Sequence, residues 1–328
     1  VRTEDDLLAR VLGHTRRAFP RDDVRLELVR DGALQLVDGA PPPDGDRRLS
    51  AEAVARLQAT AAPDGASLAL PLVVKERGAG VLVIRRPGRR FPEADQALLA
   101  SFAGQAAVAL ENARLYHQLD GLFRSYMSPA VATALVADPD QAGLGGRTAE
   151  VTVLMADLRG FTAFAERHAP DEVVAMLNAC YGAVVPVVLD EGGTVVQFVG
   201  DEVMALFGAP ARQPDHALRA ARAALRLQRA VAAVRADRDG WPAFGVGLNT
   251  GPALVGNIGA EQMRTFTAIG DTTNTAARLQ GLAAGGEVVI GPRTCAELGD
   301  AATVQERGAV PVKGRTAPVP TFLLTGLR

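Results

Sequence analysis

The apolar positions of this chain change rhythm along its length, and each change predicts a different element. Residues 3–19 carry Leu7, Leu8, Val11, Leu12 and Phe19 among charges, the stripe of an amphipathic helix. From Val24 to Val29 the rhythm alternates, with Val24, Leu26 and Leu28 between polar neighbours, as in a half-exposed strand. Residues 34–37 are predicted to pair with it across Asp31-Gly32, a dipeptide that suits a tight hairpin turn. A Pro/Gly/Asp loop is predicted at 39–46 and a short helix over 51–60. Residues 67–74 and 80–84 form apolar strands joined by the polar turn K-E-R-G. A long helix is then predicted over 92–119.

Helical spacing continues through Leu119, Leu122, Phe123 and Tyr126 until Ser128-Pro129. There Ser can cap and Pro suits a first turn, so a new short helix is predicted over 131–136. Asp138-Pro139 and the glycine-rich stretch 143–146 end it. The apolar run 151–156 reads as a buried strand that ends in Asp157, with Gly160 three residues on and Thr162 as a helix cap. A helix opens at Pro170-Asp171 and stops at Glu191-Gly192-Gly193. A hairpin of 194–199 and 203–207 turns through Gly200-Asp201. Helices over 215–236 and 272–282 follow, with strands at 244–249, 253–255, 265–269, 287–290 and 321–324.

Bulk properties narrow the class. A chain of 328 residues suggests about two domains. Its net charge of −2 gives no electrostatic footprint for nucleic acid, and the arginines of 215–236 read as a solvated helix face. Cys180 and Cys295 are too few for a disulfide framework or a structural zinc site, which points to a reducing, cytoplasmic setting. The first residues hold no apolar signal core, and no apolar run nears the ~20 residues of a membrane span, so none is expected.

The chemistry sits in three stretches. Asp157 and Asp201 each end or turn an apolar strand beside glycine. Two such acids can share a pair of hard cations, because Mg²⁺ takes oxygen ligands and is held by one or two carboxylates plus substrate phosphates. Backbone N–H groups at Gly160 and Phe161 can hold phosphate oxygens. Taken singly, either acid is an ordinary cap or turn residue. Asn274 and Arg278, four apart on a predicted helix, share a face. An amide that grips a ribose and a guanidinium that neutralises phosphoryl charge complete a nucleotide site.

The N-terminal third resembles a GAF domain, through S-L-A-L-P-L-V-V-K-E-R-G-A-G-V-L-V-I and F-P-E-A-D-Q-A-L-L-A-S-F-A-G-Q-A-A-V-A-L-E-N-A-R-L-Y. That implies a sensory or dimerising role, with a small-molecule or protein signal. The cyclic-nucleotide-binding signature is incomplete: Phe91 and Asp95 fit, Gln96 replaces a Glu, and no Asn-Lys pair precedes them. The three chemical stretches, with G-L-N-T-G-P-A-L-V-G-N-I-G and V-K-G-R, resemble the class III nucleotidyl cyclase catalytic domain. The resemblance implies an α+β chain: a GAF-like α/β domain over 1–115, a helical connector over 116–146 and a ferredoxin-like catalytic domain over 147–328. It also implies a homodimer with sites shared between subunits. Asp157 and Asp201 would bind two Mg²⁺ or Mn²⁺ ions from one subunit, while Asn274 would orient the ribose and Arg278 stabilise the transition state from the other. Lys313, or alternatively Arg315, would reach the terminal phosphates, and Gln197 and Thr267 would contact the base.

The implied reaction converts ATP to 3′,5′-cyclic AMP and pyrophosphate. Gln197 stands where adenylate-forming relatives carry Lys, and an amide can read either purine edge, so GTP or dual use is the alternative. A degenerate, non-catalytic nucleotide-binding scaffold is a second alternative. G-D-E at 200–202 echoes diguanylate cyclases, but the Asn274–Arg278 helix argues against them.

Overall fold

The structure is a computed structural model, described for residues 12–13, 15–17, 19–86, 88–138, 143–311 and 318–328, without the side chains of 123–125. It divides into two compact units, Val1–Leu122 and Phe123–Arg328. The predicted first helix lies mostly outside the described residues; those described between 12 and 17 are helical.

In the first unit an antiparallel five-stranded sheet runs in the order β2-β1-β5-β4-β3, from β1 (Asp23–Arg30), β2 (Ala33–Asp38), β3 (Thr60–Ala61), β4 (Ser67–Val74) and β5 (Arg77–Arg85). The β1–β2 turn is the predicted Asp31-Gly32, with φ of 51° and 78°, the doubly positive geometry that matches strand twist. The β4–β5 turn has the same geometry without glycine, at Lys75 and Glu76. Alternation sorts β1: Val24, Leu26 and Leu28 face one core, packed with Leu99 and Ala103 of α2 (Glu93–Tyr126). Arg25 and Glu27 lie buried on the other face, near α1 (Asp44–Arg56). The loop predicted at 39–46 and the helix at 51–60 are corrected. The helix starts at Asp44 behind Pro43, with Asp44 and Asp46 in a first turn that favours acids, and ends at Arg56.

Helix α2 runs unbroken through the predicted start of the connector to Tyr126. It stops before Pro129, which opens α3 (Pro129–Ala137). Ser128 precedes that proline as expected but makes no capping bond.

The second unit is an eight-stranded sheet ordered β12-β13-β11-β9-β6-β8-β7, with β10 on β9. Its strands are β6 (Gly145–Leu158), β7 (Thr194–Val199), β8 (Glu202–Phe207), β9 (Phe244–Gly259), β10 (Arg264–Ile269), β11 (Val288–Ile290), β12 (Ala302–Val310) and β13 (Val319–Leu327). Three expectations fail here. The glycine-rich stretch read as a terminator begins β6, and the two short strands at 244–255 are one strand of 16 residues. Both follow from one ladder, in which β6 and β9 pair from Gly145↔Asn257 to Leu158↔Phe244, so each long strand carries the other's glycines. Strand β12 and helix α8 (Pro292–Leu298) were not predicted, because β12 alternates weakly and is mostly exposed.

Helices α5 (Pro170–Asp190) and α6 (His216–Arg235) cover one face of this sheet, burying Met176, Cys180, Val184, Ala220 and Leu227 with Leu154, Phe207 and Val246. Alpha5 is, by length and composition, apolar enough to cross a membrane, which corrects the expectation that no run approached that length. Its buried stripe is part of this core. Helix α7 (Asp271–Leu282) lies against β9, where Gly247 faces the helix backbone so closely that a Cβ would sit 2.2 Å from the Gln280 N. A buried hydroxyl chain joins β6 to β9 and to α8: Thr152 to Thr250 at 2.8 Å, then Thr250 to Thr294 at 2.9 Å. Such a chain rewards one register only.

Gly247→Ala is therefore expected to destabilise the second unit by about 2 kcal/mol or more, since the obstacle is backbone. Gly182→Ala, on α5 with open space around it, should instead gain about 0.5–1 kcal/mol. Thermal unfolding of the two variants checks the pair.

Candidate active site

Strand order brings the acids together. Asp157 sits at the end of β6, opposite Glu202 on β8 and Gly245 on β9. Glu202 pairs with Val199, so Gly200 and Asp201 form a two-residue turn beside Asp157. Gly200 has a φ of 61°, and the Tyr181 hydroxyl donates to its carbonyl at 2.7 Å. The Leu158 N–H donates to the Asp201 carboxylate. A third acid, Glu202, thus joins the two predicted ones. It was overlooked because in the sequence it is simply the residue after the turn.

All three carboxyls resist ionisation. Burial pushes Asp157 up, partly offset by the Arg159 guanidinium. Burial and then the Asp157 charge push Asp201 up, and burial followed by both neighbours does the same to Glu202. Tyr181 is pushed up to about 12, by burial first and then by Asp201. Crowded negative charge with few counterions is the electrostatic condition of a cation site, and cations bind the deprotonated acids. Among the described residues no group of three or more acids, histidines or cysteines is arranged to hold a metal ion by itself, Glu202 with the two aspartates included. The donor set fits two hard cations that take their remaining ligands from water and phosphate.

Beyond Asp157, the turn at Gly160 has a φ of 81° and leads into α4 (Phe161–Ala165). The predicted cap at Thr162 is corrected: Gly160 takes the capping position, with no side-chain cap, and Thr162 lies inside the helix. The helix's own bonding starts with Phe164 N–H on the Gly160 carbonyl, at 3.0 Å.

Asn274 and Arg278 lie on α7 on the side away from the sheet, while Thr275, Ala276 and Leu279 are buried against it. Asn274 is exposed and Arg278 half-buried, and neither side chain bonds to the described residues. The structure therefore brings the two acids together at the sheet end and sets the amide and the guanidinium on one side of α7. Gln197 follows a bulge at 195–197, faces Met204, and lines a cavity of about 470 Å³ with Thr265 and Phe266. Thr267 is half-buried, opposite Gly256. Lys313 and Arg315 lie outside the described residues.

An α+β sheet with paired acids at one end is a frame suited to a nucleotide enzyme, and comparison with known proteins gives its family. The adenylate and guanylate cyclase catalytic domain model matches residues 145–326, more than half of the chain, and a GAF domain model matches 4–112. The chain belongs to the adenylate and guanylate cyclase family, with a GAF domain ahead of the catalytic one. Adenylate cyclase 1 of Rhizobium meliloti is 35% identical over 192 residues, 56% of this chain and 29% of that protein. An adenylate cyclase of Mycobacterium tuberculosis is 30% identical over 189 residues, 58% of this chain and 42% of that protein. This chain thus spans under half the length of these relatives. Among solved structures, the guanylyl cyclase Cya2 matches with a TM-score of 0.54 and 36% identity, covering 56% of this chain and 96% of that one. The adenylyl cyclase CyaB from P. aeruginosa matches with a TM-score of 0.54 and 30% identity, covering 56% and 98%.

The raised carboxyls set a sign for stability. An acid harder to ionise in the fold than in the unfolded chain costs nothing below its ordinary range. The cost grows as pH rises through the raised value. Asp201→Asn should therefore raise the unfolding temperature of metal-free protein at neutral pH, keeping the Leu158 bond through its amide oxygen. The gain should vanish at pH 3–4, about the ordinary carboxylate range. Melts at the two pH values check it.

Proposed function

We propose that the chain is an adenylate cyclase that converts ATP to 3′,5′-cyclic AMP and pyrophosphate in a homodimer and is regulated through its GAF domain. The observation that carries this reading is the two-part site: adjacent Asp157 and Asp201 at the sheet end, and an Asn274–Arg278 pair on the outer side of α7 whose side chains bond to none of the described residues. Asp157 and Asp201 would hold two Mg²⁺ or Mn²⁺ ions, which would supply charge neutralisation for the triphosphate and the developing transition state. Asn274 of the second subunit fixes the ribose so that its 3′ oxygen faces the α-phosphorus. Arg278 carries the charge that builds on the phosphoryl oxygens. Gly160 and Phe161 offer backbone N–H groups to the phosphates, and Lys313 reaches the terminal ones. Gln197 and Thr267 contact the base. Little covalent work falls to the protein; alignment and electrostatics lower the barrier.

Exposed apolar side chains support a dimer. Phe198 and Val199 on β7, and Met263 and Ile269 flanking β10, stand open on the catalytic unit. On α2, exposed Leu115, Leu119, Leu122 and Tyr126 follow steps of four, three and four, a coiled-coil seam, and Asn112 falls on the same seam. A single polar residue there sets register in paired helices. For the regulatory ligand, a cavity of about 650 Å³ in the first unit has apolar walls from Val29, Leu34, Leu36 and Pro42, with the Glu27 carboxylate among its lining. Glu27 accepts from Arg25 at 2.7 Å and Ser50 at 3.2 Å, both on one oxygen. A small apolar molecule with a hydrogen-bond donor suits that lining.

The relatives include both adenylate and guanylate cyclases, so substrate is settled by turnover. Purified protein with Mn²⁺ or Mg²⁺ should form cyclic AMP from ATP, faster than cyclic GMP from GTP. Asp157→Ala, Asp201→Ala and Arg278→Ala should each lose about 100-fold or more in kcat. Mixing inactive Asp157→Ala and Arg278→Ala chains should restore one site per heterodimer. No recovery after verified subunit exchange would refute the shared site. Nucleotide binding without pyrophosphate release from wild-type protein would turn the reading to a scaffold.

Gln197→Lys should shift the ATP-to-GTP preference in kcat/KM toward ATP by roughly tenfold, since one charged hydrogen bond to the base is worth that order. An unchanged ratio would remove Gln197 from base reading.

A further inference from the structure

Arg159 lies two residues past Asp157, and its guanidinium bridges that acid to the end of α7. Nη1 donates to Asp157 Oδ1 at 3.4 Å. Nε donates to the Ala283 carbonyl at 2.7 Å, and Nη2 donates to the Gln280 carbonyl. Those carbonyls belong to the C-terminal end of α7, where Ala283 is the capping residue. The last carbonyls of a helix lack intrahelical donors and carry the negative end of its dipole, so a forked cation suits them.

The sheet is shaped around this side chain. Gly245 stands opposite Asp157, and a Cβ there would lie 2.5 Å from Arg159 Nε and 2.6 Å from the Ala283 oxygen. The guanidinium fills the space that any other residue at 245 would take. Arg159 is 29% exposed, so its ion pair with Asp157 alone contributes little. Its position comes from the two carbonyl bonds, with Asp157 as the third, longer partner. A cation arriving at Asp157 competes with Nη1 for the carboxylate while Nε and Nη2 keep their grip on α7.

We propose that Arg159 is a positioning residue that couples the state of Asp157 to the placement of α7. This rests on the shared-site reading above. In such a dimer the acids of one chain and the α7 of the same chain serve different sites, so each Arg159 joins the metal end of one site to the Asn274–Arg278 end of the other. The two sites of the dimer are then mechanically linked through two side chains, and metal loading at one is felt at its twin. Lysine cannot substitute, because a single ammonium lacks the planar fork that reaches three acceptors.

The first test needs no turnover. In full-length protein, Mn²⁺ alone should change amide hydrogen exchange across 271–282 at least twofold, and Arg159→Lys should abolish that response while the loop at 157–161 still responds. An α7 indifferent to Mn²⁺ in the wild type, or equally responsive in the variant, overturns the coupling. The second test places Arg159→Lys in the heterodimer of Asp157→Ala and Arg278→Ala chains, which has one live site. In the Arg278→Ala chain, which supplies the live acids, it should raise the Mn²⁺ needed for half-maximal rate several-fold. In the Asp157→Ala chain, which supplies the live α7, it should lower kcat about tenfold with the Mn²⁺ dependence unchanged. An effect from only one placement, or the same effect from both, overturns the coupling. If the parent heterodimer makes no product, the shared-site reading falls and the exchange experiment alone decides the role of Arg159.

Discussion

Like charges held close in a half-buried place are the constraint on which the catalytic unit turns. The ladder places Asp157 opposite Glu202, and the tight turn sets Asp201 alongside. No residue choice within that register can move these carboxyls apart. Burial pushes all three upward, joined by neighbouring negative charge at Asp201 and Glu202, so the metal-free fold carries them at a cost. What holds the acids in place is everything behind them: the long β6–β9 ladder, the core under α5 and α6, and the threonine chain that admits one register. The stability of the sheet keeps an unfavourable charge cluster assembled, which under the proposed function is the place where cations bind.

The same logic explains the glycines of β9. Gly245 leaves room for the Arg159 guanidinium, and Gly247 lets α7 approach to backbone contact. A strand with side chains at both positions would pack well as a strand and would push α7 away from the acids. Thr272 holds the other end of the helix, its hydroxyl donating to the Pro252 carbonyl at 2.7 Å, while Asn249 donates to the Thr272 carbonyl at 3.1 Å. Helix α7 is therefore tethered to β9 at its start and to Arg159, just past Asp157, at its end. Asn274 and Arg278 lie between the tethers, and their side chains bond to none of the described residues.

Much of this was legible in the residues and some was not, and the difference is physical. Local signals survived intact. Asp31-Gly32 made its turn, Pro170 opened α5 at the expected place, and Gly200-Asp201 turned the hairpin. Signals that depend on a partner strand did not. Gly145, Gly146, Gly251 and Pro252 read as breakers, yet all four sit inside a ladder whose other strand supplies the pairing. Asp157 and Asp201 stood out because each ends or turns an apolar run. Glu202 and Arg159 did not, because their roles come from what the fold lays across from them. An arginine two residues after an acid looks solvated until the end of a helix 121 residues away meets its guanidinium.

Under the proposed function, the connector has to carry a change from α2 to the site, and its chemistry narrows how. Pro129 has no N–H and ends α2, so torsion in α2 cannot pass along a continuous backbone ladder into α3. The handover must be by side-chain contact. Val131 and Ala132 of α3 are buried, and Val131 lines both the 470 Å³ cavity that holds Gln197 and a second cavity of about 500 Å³ beside Val255. Phe266 on β10 lines both as well. Close-packed interiors transmit displacement but do not absorb it. Two clefts flank α3, and Val131 lines both beside the strands that carry Gln197 and Phe266. A hinge that cannot conduct strain along its backbone, set beside space into which it can move, suits a domain whose output depends on where a short helix rests.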